Sequence, residues 1–267
     1  KVLVSWNALM LAAFAEAGRY LQRPDYTQAA IHNATFLLDN LYQDDRLLRS
    51  WRAGQSRHNA YLEDYAGLAL GLMALYQTDP QVRWYTFALQ ITDEMIAHFS
   101  DPNGGFFDTR DDHGPLLLRP KDIQDNATPS GNALAALALL QIAAYGDRPA
   151  YRDRAEAMLS SLQDAMTRYP TAFAQWLCAA DFALGPIQEI AIVGPVGPSQ
   201  PLIDALWNAY RPRLVAAISP TPPQPGSPAL LQDRPLQNDQ PTAYVCQGFV
   251  CRQPVNTPTD LCTQLHT

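Results

Sequence analysis

Two aspartates carry the first suggestion of chemistry in this chain. Asp64 lies in the run Leu62-Glu63-Asp64-Tyr65, where an otherwise apolar stretch opens with two acids, and Asp125 lies just ahead of a polar run ending at Asn132. A pair of carboxylates can hydrolyse a glycosidic bond, one protonating the leaving oxygen while the other works from the opposite face of the sugar. The residues around them suit a saccharide: Trp6, Asn7, Glu63, Tyr65, Phe106, Lys121, Ser130 and Asn132. Aromatic faces pack against sugar C–H surfaces, and the polar side chains bond hydroxyls. Because Glu63 and Asp64 are adjacent, at most one is expected to face a shared site. Lys121 can hold Asp125 or a substrate carboxylate, or pair with Asp122. Both aspartates also have a structural reading, since acids near helix starts meet unpaired N–H groups and the positive end of the dipole.

Other chemistries find less support. His58, just before an apolar helix, is the one histidine placed for acid–base work; His32, His98, His113 and His266 fall on outer helices, in an insert or at the end. No Ser–His–Asp order and no metal-ligand cluster is evident, so neither a metal nor a cofactor is expected. Val193-Gly194-Pro195-Val196-Gly197 lacks dinucleotide-binding spacing, and Pro195 removes an N–H that would face phosphate.

The elements that must position these groups are mostly helical. Apolar residues at three- and four-residue spacing predict helices over 5–21, 26–41, 62–76, 81–99, 130–145, 151–166 and 171–183. Ser5, Ser130 and Thr171 are candidate N-caps. The helices 5–21, 62–76 and 130–145 are apolar nearly all round, whereas 26–41, 81–99 and 151–166 are amphipathic. An all-apolar helix must be buried on every side, and an amphipathic one faces water. The alternation is a repeat of helix pairs: an inner ring of apolar helices wrapped by an outer amphipathic ring, which is an α/α-toroid, with a helical solenoid as the competitor. A ring of six hairpins needs about twelve helices, so further pairs are expected upstream of Lys1. Inner helices of such a ring start at one mouth, which gathers the candidate residues from distant parts of the chain. The insert 103–132 is expected to form a short hairpin across that mouth.

The composition changes near residue 185. Strands are expected at 189–194, 213–218, 242–246 and 249–252, with helices at 200–210 and 259–266 and a Pro-rich loop at 219–228. The division is therefore a toroid region, 1–185, followed by a small α/β appendage, 186–267.

The 267 residues are 47% hydrophobic and 17% charged, enough for a sizeable core, and the net charge of −7 opposes nucleic-acid binding. No apolar run is long enough to span a bilayer. Four cysteines do not make a disulfide framework, and Cys246 and Cys251 read as a buried thiol pair in an intracellular, cytoplasmic protein.

The chain also resembles the YyaL / spermatogenesis-associated protein 20 family. The resemblance rests on Ser5-Trp6-Asn7-Ala8-Leu9-Met10, Leu62-Glu63-Asp64-Tyr65-Ala66 and Gly104-Gly105-Phe106-Phe107. It continues through Lys121-Asp122, Asp125-Asn126-Ala127-Thr128-Pro129-Ser130-Gly131-Asn132 and Thr242-Ala243-Tyr244-Val245-Cys246, with Cys251 and Pro254. It implies a six-hairpin, glycosidase-like toroid preceded in the full-length protein by a thioredoxin-like domain. Asn126 departs from the small residue, often Gly, expected there. Two functions follow as expectations: a carbohydrate-active domain with Asp64 and Asp125 as catalytic pair, or a non-catalytic scaffold serving the thioredoxin-like domain.

Overall fold

The protein is described by a computed structural model covering every residue except Pro115, Asp147 and Thr267. Two short strands and a hairpin join the first helices: β1 (Val2–Leu3), α1 (Val4–Tyr20), α2 (Pro24–Leu41), β2 (Tyr42–Gln43), β3 (Arg46–Arg52) and β4 (Gln55–Asn59). The helical series continues with α3 (Leu62–Thr78), α4 (Val82–Phe99), α5 (Gly131–Ala143), α6 (Pro149–Ser161), α7 (Gln163–Arg168) and α8 (Ala174–Leu184). The last part is β5 (Gln188–Val193), α9 (Val196–Leu206), β6 (Leu214–Ser219), β7 (Thr242–Gln247), β8 (Val250–Cys251) and α10 (Pro258–Leu265).

The helices form an arc of an α/α-toroid. α1, α3, α5 and α8 pack side by side as the inner row, and α2, α4 and α6 pack outside α1, α3 and α5 in turn. α3 is buried along almost its whole length, which its sequence demands, because only Glu63, Leu70 and Thr78 escape full burial. Close approach is enforced by small residues: a Cβ on Gly71 would meet the Ala8 carbonyl at 2.9 Å, and one on Gly131 would meet the Glu63 N–H at 2.9 Å. The helix expected over 151–166 is broken at Leu162 into α6 and α7.

The β5–β8 sheet has the order β6-β5-β7-β8, with β6 parallel to β5 and the rest antiparallel. Alternate residues serve two cores. Ala191, Val193, Val215, Ala217 and Tyr244 face the helical arc, while Ile190, Ile192, Ala216 and Val245 face α9 and α10. The sheet is bolted to the ends of the inner helices: the Ala216 N–H donates to Gln77 Oε1 at 3.1 Å, and the Tyr145 hydroxyl donates to the Ala216 carbonyl at 3.1 Å. The appendage therefore lies at the C-terminal end of the inner row, opposite the mouth. α9 begins four residues before the expected 200 and carries Pro201 inside it.

Two local expectations are corrected, and one stretch without an expectation proves structured. Residues 46–59, given no structure from sequence, form a hairpin whose turn, Ala53 and Gly54, takes positive φ at both positions. Among its described residues, the insert 103–132 shows no hairpin; it is irregular up to the start of α5, and Phe106 makes an isolated bridge with Ser100. Cys246 and Cys251 are a disulfide rather than two thiols, because the β7–β8 register sets them directly opposite each other.

Candidate functional site

The starts of the inner helices share one end of the arc, and carboxylates tie them together. Asp64 sits in the first turn of α3 and is wholly buried. Its Oδ1 accepts the Ser5 N–H of α1 at 2.9 Å; its Oδ2 accepts the Tyr61 N–H at the start of α3 at 2.9 Å and Arg49 Nη1 at 2.9 Å. One side chain thus caps two helices. Asp125 does the same at the next junction, Oδ1 accepting the Ser130 N–H at 2.9 Å and Oδ2 the Gln175 N–H of α8 at 2.7 Å. Ser130 completes that corner as the N-cap of α5, accepting the Ala133 N–H at 3.2 Å. Ser5 and Thr171 are not the caps expected of them: α1 and α8 draw their capping groups from the distant Asp64 and Asp125.

Burial pushes the Asp64 carboxyl up to about 6, against the Arg49 guanidinium and the two N–H donors that favour its charge. Asp64 and Asp125 do not face a common cleft, contrary to expectation, because orphan N–H groups at four helix starts engage both oxygens of each.

The other residues singled out from sequence divide as follows. Tyr65 is buried, its hydroxyl accepting the Leu47 N–H at 3.1 Å and Arg110 Nη1 at 2.9 Å. Phe106 is buried, and Asn132 holds its backbone, Oδ1 accepting the Phe106 N–H at 2.9 Å and Nδ2 donating to its carbonyl at 3.0 Å. Neither Tyr65 nor Phe106 can touch a ligand at the mouth. Asn7 bonds back to the Leu3 carbonyl at 2.8 Å. Lys121 pairs with Asp101 at 3.0 Å, not with Asp122 or Asp125. Trp6 is 62% exposed on α1, and His58 is exposed on β4.

A cleft of about 490 Å³ does open at the mouth, between the start of α3 and the segment leading into α5. Its lining includes Tyr61, Glu63, Asp108, Asp122, Asn126 and Ser130. Glu63 gives one oxygen to Arg49 Nη2 at 2.8 Å, so β3 holds the Glu63–Asp64 pair through one guanidinium. Asp108 is half-buried; its Oδ2 accepts the Asp122 N–H at 2.8 Å, and Oδ1 has no partner among the described residues. Burial raises the Asp108 pKa, and the charges of Asp122 and Glu63 raise it further. Sequence reasoning missed Asp108, which follows Phe107 in an irregular loop, and Arg49, which sits on the unforeseen hairpin.

Other places are less suited to chemistry. A larger cleft of about 780 Å³ lies between α6 and the β7–β8 turn, but Arg148 and Arg152 on its wall are paired with Asp93 and Glu156. His98, Asp111 and Asp112 bring ligand atoms within 4.8 Å of one another, yet Asp112 is already ion-paired to Arg46 and Arg110.

No protein-family model matches the chain. The chain is similar along its whole length to spermatogenesis-associated protein 20: 29% identical to the Homo sapiens protein and 28% to the Mus musculus protein, each over 288 aligned residues. It spans 36% of the length of those relatives. Among solved structures it is similar to an unsaturated glucuronyl hydrolase from Bacillus sp. GL1, with 18% identity, a TM-score of 0.48, and 61% of this chain and 46% of that one covered. It is likewise similar to a cellobiose 2-epimerase from Spirochaeta thermophila DSM 6192, with 19% identity, a TM-score of 0.47, and coverage of 60% and 43%. Neither likeness bears on what this chain binds. Among the described residues, no helix is long and apolar enough to cross a membrane.

Proposed function

We propose that the mouth cleft binds a saccharide and acts on it by acid–base chemistry, with Asp108 and Glu63 as the working carboxylates. Asp108 carries the reading: it is a half-buried carboxyl with a raised pKa and a free oxygen, beside two other acids in an open cleft. Such a group keeps its proton to a higher pH than an ordinary aspartate and can donate it to a leaving oxygen. Glu63, held through one oxygen by Arg49, offers the other to a developing positive charge or to water. The acid–base role thereby moves from Asp64 and Asp125, whose oxygens cap helices, to two residues that line the cleft. Asp122, Asn126 and Ser130 supply further groups that suit hydroxyls.

The test is a thermal-shift screen against mono- and oligosaccharides with Asp108→Asn and Glu63→Gln alongside. Binding to the native state raises the melting temperature by mass action. A shift in the parent that both variants lose supports the reading; a shift that both retain removes the cleft from the account. The second reading is a non-catalytic scaffold serving a thioredoxin-like domain. The saturation of Asp64 and Asp125 favours it, and it expects no shift with any sugar.

A further inference from the structure

The segment 121–124 separates two cavities, and its residues alternate between them. Asp122 and Gln124 line the acidic cleft, whereas Lys121 and Ile123 line a second pocket of about 640 Å³ between α6 and the Ser100–Gly105 loop. That pocket contains an arginine with no counter-charge. Arg154 of α6 donates from Nη1 to Ser100 Oγ at 2.6 Å, and its guanidinium lies 4.9 Å from the centre of the Phe106 ring. Its Nε and Nη2 donate to nothing among the described residues, and no carboxylate there stands within ion-pair distance. Arg49 and Arg110, also withdrawn from solvent, each face an acid instead: Glu63 and Asp64 for Arg49, and Asp112 for Arg110. Burial lowers the Arg154 pKa with no carboxylate to offset it, as a desolvated and unpaired cation requires.

We propose that this pocket is an oxyanion-binding site in which the free Nε/Nη2 edge of Arg154 takes a carboxylate or phosphate group side-on. The fork geometry matches two coplanar oxygens. Lys121 at the rim is already neutralised by Asp101, so Arg154 leaves the pocket one positive charge in excess of its acids. Met158, Leu162 and Ile123 give the rest of the ligand an apolar wall. The pocket lies across the 121–124 segment from the acidic cleft, and the proposal does not depend on the saccharide reading.

Titration calorimetry at low salt, with inorganic phosphate and with benzoate, tests it. Saturable binding is expected for at least one probe. Tighter phosphate identifies a phosphorylated ligand, and tighter benzoate a carboxylate with an apolar body. Arg154→Gln is expected to weaken binding about tenfold or more, as loss of a bidentate charged contact does. Ala157→Glu sets a carboxylate three residues along the same exposed helix face, where it can occupy the fork. It is expected to block binding while leaving the circular dichroism spectrum unchanged. Absence of saturable binding by either probe, or binding undiminished in both variants, overturns the proposal.

Discussion

Asp64 and Asp108 lie at the same mouth, and the surrounding backbone uses them in opposite ways. Asp64 is saturated: two N–H groups and a guanidinium hold it in complete burial. Asp108 receives one N–H and keeps an oxygen for the cleft. Asp125 belongs with Asp64, and Glu63 with Asp108. A ring of helices that all start at one end concentrates unpaired N–H groups there, so acids at the mouth are divided between closing the ring and facing its cavity. Position at a helix start does not decide between the two; the count of bonds on each oxygen does.

The comparison breaks most visibly at Asp64. Asp64→Ala strands one buried and one part-buried N–H group and half-frees Arg49, and it is expected to cost about 4 kcal/mol in denaturant unfolding. A loss below about 1 kcal/mol would mean that Asp64 is not a tie.

Next in size is a pH effect on the same residue. The folded chain holds the Asp64 proton up to about 6, whereas the unfolded chain releases it near the ordinary aspartate value. The stability from that bound proton is present in full below the unfolded value and is lost as pH rises through about 6. Relative to Asp64→Asn, the parent is therefore expected to lose on the order of 2–3 kcal/mol between pH 4 and pH 7. Parallel stability profiles for the two proteins would contradict this.

Asp125→Ala is expected to cost about 2 kcal/mol, because its capping bonds to Ser130 and Gln175 are only part-buried and water can replace them in part. The smallest effect belongs to the cleft: Asp108→Asn keeps an acceptor for the Asp122 N–H and removes a charge that burial disfavours. Its stability is expected within about 0.5 kcal/mol of the parent. A larger loss would place Asp108 among the ties.

These distinctions explain what the sequence could and could not disclose. The inner and outer helices were legible because burial on all sides or on one side writes a distinct apolar pattern at helical spacing. Ser130 was legible as a cap because a cap is a local arrangement. The caps supplied by Asp64 and Asp125 to α1 and α8 join residues far apart in the chain, and no local pattern marks them. The β3–β4 hairpin was hidden because its turn, Ala53-Gly54, lacks the Asn-Gly or Asp-Gly signal. Arg49 was lost with it. Asp108 stands in an irregular loop without periodicity, so its approach to Glu63 exists only in three dimensions. The adjacency of Glu63 and Asp64 did carry information: the two must diverge, and one lies in the cleft lining while the other lies in the tie.

The division of the mouth carboxylates is tested most directly by comparing Asp108→Asn with Asp125→Asn in the saccharide thermal-shift screen. Asp125→Asn is expected to lower the melting temperature but preserve the ligand-induced rise, whereas Asp108→Asn is expected to keep the parent melting temperature and lose the rise. The opposite pattern, a stable Asp125→Asn that no longer responds beside a destabilised Asp108→Asn that does, would contradict that division.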